Sequence, residues 1–149
     1  MIFAEFFFVI HGNTPFPWQQ MLADREEWPE AIDLPTASGK TACLDAAIYR
    51  LATGKPMPRR IWFVVDRRIV VDEAHERALR MARALCDKPE LKAIADALRA
   101  FGDGECPLES PLAVARLRGG TWRDDSGWSR DPRQPAIICS TVDQLGSSL

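Results

Sequence analysis

The chain has 149 residues, and 19 basic against 21 acidic side chains leave a formal charge of −2. That length suits one domain with a core of its own. The near balance of charge excludes a protein held to nucleic acid by bulk electrostatics, and the ordinary apolar content excludes a disordered chain.

The elements read in chain order as follows. MIFAEFFFVI is strongly apolar but lacks a basic leader and a small-residue cleavage site, and it is too short to cross a bilayer. It is expected to be a buried helix or strand, and nothing in the chain targets a membrane. TPFPWQQML, from Thr14, is a Pro-rich aromatic connection. AIDL at 31–34 is expected to be a short strand, PTASG a turn, and KTACLDAAIYRLA a helix with Cys43, Ala47, Ile48 and Leu51 on its apolar face. GKPMP breaks that helix, and IWFVV at 61–65 is the clearest buried strand. A long helix is predicted from about Val71 to Cys86, and PELKAIADALRAF predicts another with Pro89 in its first turn. FGDGECPLESP is loop. LAVARL and AIICS have strand length, and the GGTWRDDSGWSRDPRQP segment between them is long enough to be a functional loop. Strands alternating with helices predict an α/β fold, a parallel sheet covered on both faces. The 4 cysteines show no Cys-x-x-Cys spacing and fit free thiols of a reducing cytoplasm.

LPTASGKTA carries the strongest chemical signal. Between a strand and a helix, the backbone N–H groups around Thr36, Ala37, Ser38, Gly39, Lys40 and Thr41 would point into a loop at the positive end of the helix. Lys40 would reach the β- and γ-phosphates of ATP, and the Thr41 hydroxyl would ligate Mg2+. Leu34 stands where the full phosphate-loop pattern has its first Gly, and Ala37 stands where nucleic-acid motors carry another.

Asp72-Glu73-Ala74-His75 looks like the box with which such motors hold magnesium and activate water. Its position argues otherwise. Only Asp66, Arg67 and Arg68 separate IWFVV from Ile69, whereas two parallel strands need a crossover of about a dozen residues or more. Val71, Ala74, Ala78, Met81, Ala82 and Leu85 instead recur at helical spacing, which would put Asp72 and Glu73 in a first helical turn.

Pro-Thr-x-Ser-Gly-Lys-Thr resembles motif I of superfamily 2 helicases, and other segments follow in that family's order. Phe16-Pro17-Trp18-Gln19 lies where the superfamily has a Gln that reads adenine, and FVVDRR resembles the backbone-contacting motif Ia. Arg118-Gly119-Gly120 and Ser140-Thr141-Val142-Asp143-Gln144 resemble later backbone-contacting motifs. Together, HGNTPFPWQ, DLPTASGKTACLD, FVVDRRIVVDEA, RLRGG and STVDQLGS resemble the N-terminal part of the CRISPR-associated helicase–nuclease of type I systems, most of all the subtype whose helicase begins near the N-terminus.

The resemblance implies a three-layer RecA-like P-loop domain over 31–149, preceded by an apolar and adenine-reading region over 1–30. It implies ATP and Mg2+ as cofactors, and single-stranded DNA and a CRISPR targeting complex as partners, in the cytoplasm. Gln19 would read adenine, and Arg67, Arg68, Arg118, Gly119, Thr141 and Gln144 would contact the DNA backbone. For Gln19 a solvated loop position is the rival reading, and for Arg67 and Arg68 an ion pair with Asp72 or Glu73. The family's motif II and second RecA-like domain would follow GSSL, so the domain is expected to be incomplete and inactive alone. With only 2 histidines, the nuclease is not expected here either, and His11 reads as a helix-end or loop residue. The motor subunit of restriction enzymes, a small P-loop kinase and a non-catalytic nucleotide-binding module are the alternatives.

Overall fold

A computed structural model describes residues 1–35, 38–101, 110–117 and 131–144. They form a mixed α/β fold with a three-stranded parallel sheet in the order β1-β3-β2, where β1 is Arg60–Val65, β2 Ala113–Leu117 and β3 Ala136–Thr141. The central strand, AIICST, is buried throughout, as a continuous apolar run between two neighbours should be. The register pairs Val65 with Thr141 and Leu117 with Ser140, so the strands end in step at one carboxyl edge.

The helices are α1 (Phe3–His11), α2 (Pro17–Asp24), α3 (Cys43–Ala52), α4 (Arg68–Asp87) and α5 (Lys92–Arg99). Glu5 caps the start of α1 by accepting from the Ile2 N–H at 3.1 Å. Helix α4 joins the sheet to the helical layer, because it packs on all three strands and on α1 and α5. Val71, Ala74, Ala78, Met81 and Leu85 supply its buried stripe, and Ile137, Cys139 and Val114 meet the same core from the sheet. Side chains alternate across a pleat, so Ala113, Ala115, Leu117, Ala136 and Ile138 form a second, smaller cluster on the other face.

Three expectations need correction. Residues 31–35 are not a strand. Pro29 and Pro35 bracket the four apolar-patterned residues, and neither proline has a backbone N–H to give a ladder. Ile32 accordingly stays 39% exposed. Second, β1 is an edge strand with a half-exposed apolar run, and Trp62 is also 39% exposed. Third, α4 starts at Arg68, three residues before the predicted Val71, so its first turn holds no acidic residue. Among the described residues no helix is long and apolar enough to cross a membrane. The GGTWRDDSGWSR stretch and residues 102–109 of FGDGECPLESP lie outside the described residues.

VVDEAH is helical, as its spacing predicted, and its acid has another task. The Asp72 carboxylate accepts from Arg116 of β2 at 3.0 Å, with both side chains about a third exposed. That pair ties α4 to the sheet. Partly solvated pairs contribute about 0–1 kcal/mol. Asp72→Asn with Glu73→Gln should therefore lower stability by no more than about 1 kcal/mol, read by urea denaturation. A loss several times larger would mean these acids hold something the ion pair does not account for.

Candidate functional site

The Ser-Gly-Lys-Thr turn is built against the aromatic segment upstream of it. Phe16 precedes α2, with Pro17 at the helix start, where its missing N–H costs nothing. From the first turn of α2 two side chains reach the turn. The Trp18 indole N–H donates to the Ser38 carbonyl at 3.0 Å, and the Gln19 amide N–H donates to the Gly39 carbonyl at 3.3 Å. The other end of the Gln19 amide accepts from the Phe16 N–H at 2.8 Å. Ser38 closes the turn by donating its hydroxyl to the Pro35 carbonyl at 2.7 Å.

Gly39 is favoured here on two counts. Its φ of 72° lies in the left-handed region, and a Cβ at that position would stand 3.1 Å from Gln19 Nε2 and 3.4 Å from the Phe16 ring. Lys40, Thr41 and Ala42 then form a 3-10 turn that leads directly into α3. Lys40 is exposed and forms no ion pair among the described residues. Thr41 is half-buried beside it and carries the hydroxyl that could hold a magnesium ion. Thr36 and Ala37 lie outside the described residues, as do Arg118 and Gly119.

Two cations anchor α2 to α3. Arg50 is fully buried on α3, and its guanidinium donates to the carbonyls of Ala23, at 3.4 Å, Glu26, at 3.0 Å, and Arg25. Lys55 donates to the carbonyls of Ala23, Asp24 and Arg25, with the Asp24 bond at 2.7 Å. The carbonyls of Ala23, Asp24 and Arg25 are orphans at the C-terminus of α2, Glu26 follows just beyond, and positive charge is favourable there. The element that holds the turn is thus tied to the helix that the turn opens.

A second buried network lies just beyond. Asp45, fully buried on α3, binds His11 Nε2 at 2.6 Å through one oxygen and Arg77 Nε at 2.5 Å through the other. His11 is the last residue of α1, as expected of a helix-end residue, and Arg77 comes from α4. Phe7 adds a ring against both, 4.6 Å from the imidazole centroid and 5.3 Å from the guanidinium carbon. Cys43 sits nearby on α3. Burial, and then the Asp45 charge, push its thiol up to about 11. Burial likewise pushes the Cys139 thiol up to about 12. Neither is a nucleophile at neutral pH.

The carboxyl edge of the sheet gathers the other expected residues. Arg67 stands at the N-cap position of α4, two residues past the end of β1, and Arg67 and Arg68 are both exposed. Neither figures in an ion pair with Asp72, whose carboxylate faces Arg116. Val142, Asp143 and Gln144 follow β3 at the same edge, whereas Thr141 is 7% exposed. Gln19 is not the solvated loop residue of the rival reading, because it is 3% exposed. Sequence reasoning missed Asp45 and Arg50 as buried charges, although each stands among the apolar positions of α3, and it missed the partly exposed Arg77 as the partner of Asp45.

Comparisons with protein-family models, with curated proteins and with solved structures each give no match to this chain.

Proposed function

We propose that this chain binds ATP with magnesium at Ser38–Thr41 and is the nucleotide-holding part of a superfamily 2 DNA motor, RecA-like in fold. Such a motor would translocate on single-stranded DNA in concert with a CRISPR targeting complex. One observation carries the reading. Trp18 and Gln19 are hydrogen-bonded to Ser38 and Gly39, 20 residues along the chain. The resemblance assigns Gln19 to the nucleotide's base side, and Ser38 and Gly39 to its phosphates. Two segments picked out separately as halves of one site are thus in contact. The in-step ending of the parallel strands supports the DNA side, since open α/β sheets bind ligands beyond the carboxyl ends of their strands.

Lys40 would neutralise phosphate charge and Thr41 would hold the ion, which supplies further charge neutralisation when bound. Arg67 and Arg68 would contact DNA phosphates, a role that asks only for exposed charge at the edge. The test is titration of single-stranded DNA at several salt concentrations. Affinity should fall with salt, and Arg67→Ala with Arg68→Ala should flatten the log–log slope by roughly 1.4, the value for two lost phosphate contacts. An unchanged slope, or no DNA binding at all, would remove the motor reading.

A further inference from the structure

We propose that Ile69, with Val142, packs against the bases of a bound single strand, so that the carboxyl edge grips nucleic acid by base as well as by phosphate. This rests on the DNA-binding reading above. Ile69 is 67% exposed, more than any other large apolar side chain among the described residues, and Val142 is 56% exposed. Ile69 stands in the first turn of α4, off that helix's buried stripe of Val71, Ala74 and Ala78. The register places both at neighbouring strand ends. Val65 and Thr141 are paired at the ends of β1 and β3, Val142 comes directly after Thr141, and Ile69 belongs to the helix that leaves β1.

Charge alone gives this edge little hold on a polyanion. Arg67 and Arg68 are exposed there, but so are Asp66 and Asp143, and the two positive charges are offset by the two negative. A contact that does not depend on charge is needed beside the phosphate contacts. Exposed aliphatic groups supply one, since water leaves both surfaces when a base packs on them. Isoleucine and other aliphatic side chains serve as wedges between base steps in proteins that unstack them. A single strand offers its base faces freely, and every base has one, so the apolar pair adds affinity without choosing a sequence. A lone exposed apolar residue needs no explanation, but two at adjacent strand ends beside two guanidiniums form a patch. The basic pair favours nucleic acid over a protein as its occupant.

The experiment is fluorescence-anisotropy titration of two labelled strands of equal length, one of mixed sequence and one of abasic sugar phosphates, at several salt concentrations. The wild-type chain should bind the natural strand about tenfold more tightly than the abasic one. Ile69→Ser with Val142→Ser should remove that advantage, so that both strands bind alike. The log–log salt slope should stay as it was, because no charge is lost. Both side chains are more than half exposed, so this variant keeps its fold. Arg67→Ala with Arg68→Ala should do the reverse, flattening the slope and keeping the preference for bases. Equal wild-type affinity for the two strands would overturn the inference and leave phosphate binding standing, with the patch left to a protein partner. A serine variant that keeps the preference, or that weakens both strands alike, would overturn it too. Failure of the wild-type chain to bind either strand would overturn the DNA reading itself, and the inference with it.

Discussion

Asp45→Ala should cost the fold about 3–5 kcal/mol, the loss found when one partner of a buried ion pair is removed and the other charge stays. Both oxygens of this carboxylate are engaged, by His11 at 2.6 Å and Arg77 at 2.5 Å, and Asp45 is fully buried. Alanine would leave Arg77 with less still, since its Nη2 is buried and already has no hydrogen-bond partner. The three residues come from α3, α1 and α4, so the damage would spread across the helical layer. A melting temperature lower by about 10 °C or more is the expected reading for a chain of this size. Asp45→Asn keeps the shape and one acceptor, and should lose much less. A drop of only about 1 kcal/mol for alanine would show that the triad is solvated and that apolar packing alone positions α3.

The elements of this fold are legible in the sequence because their periods are clean. Val71, Ala74, Ala78, Met81 and Leu85 mark α4 as a helix in spite of the motor-like Asp-Glu-Ala-His, and the structure agrees. AIICS reads as an apolar run of strand length and is the buried centre of the sheet, whereas LAVARL, read alike, is an edge. IWFVV reads as the clearest buried strand and is an edge, since an apolar run reports strand character but not the number of neighbours. The AIDL expectation failed because apolar pattern was weighed over the prolines on either side, which take away ladder donors.

The candidate site was legible where chemistry depends on local spacing and illegible where it depends on packing. Ser-Gly-Lys-Thr identifies a turn by itself. Nothing local says that Gln19 turns inward, for its role is set by Gly39 on another segment. The buried charge Asp45 did leave a trace, standing three residues before Ile48 within the apolar stripe of α3. A charge in such a stripe requires a buried counterpart, because it is otherwise too costly to desolvate. Which counterpart cannot be chosen without the fold.

Lys40→Ala separates binding from folding more cleanly than any other change. The side chain is exposed and forms no ion pair among the described residues, so its removal should leave the melting temperature within about 2 °C of wild type. Its proposed work is entirely toward the nucleotide. A lysine at a phosphate loop makes charge-assisted hydrogen bonds to phosphate oxygens, each contributing about 1.5–3 kcal/mol. Loss of one or two of them should weaken ATP·Mg2+ binding by on the order of a hundredfold, since each 1.4 kcal/mol is about tenfold. Lys40→Arg keeps the charge but not the compact ammonium, and should recover only part of the affinity. Calorimetry on the folded variants reads both effects at once. Equal ATP affinity in wild type and Lys40→Ala would mean that the turn held by Trp18 and Gln19 is a structural connection between α2 and α3, and that phosphates bind elsewhere or not at all.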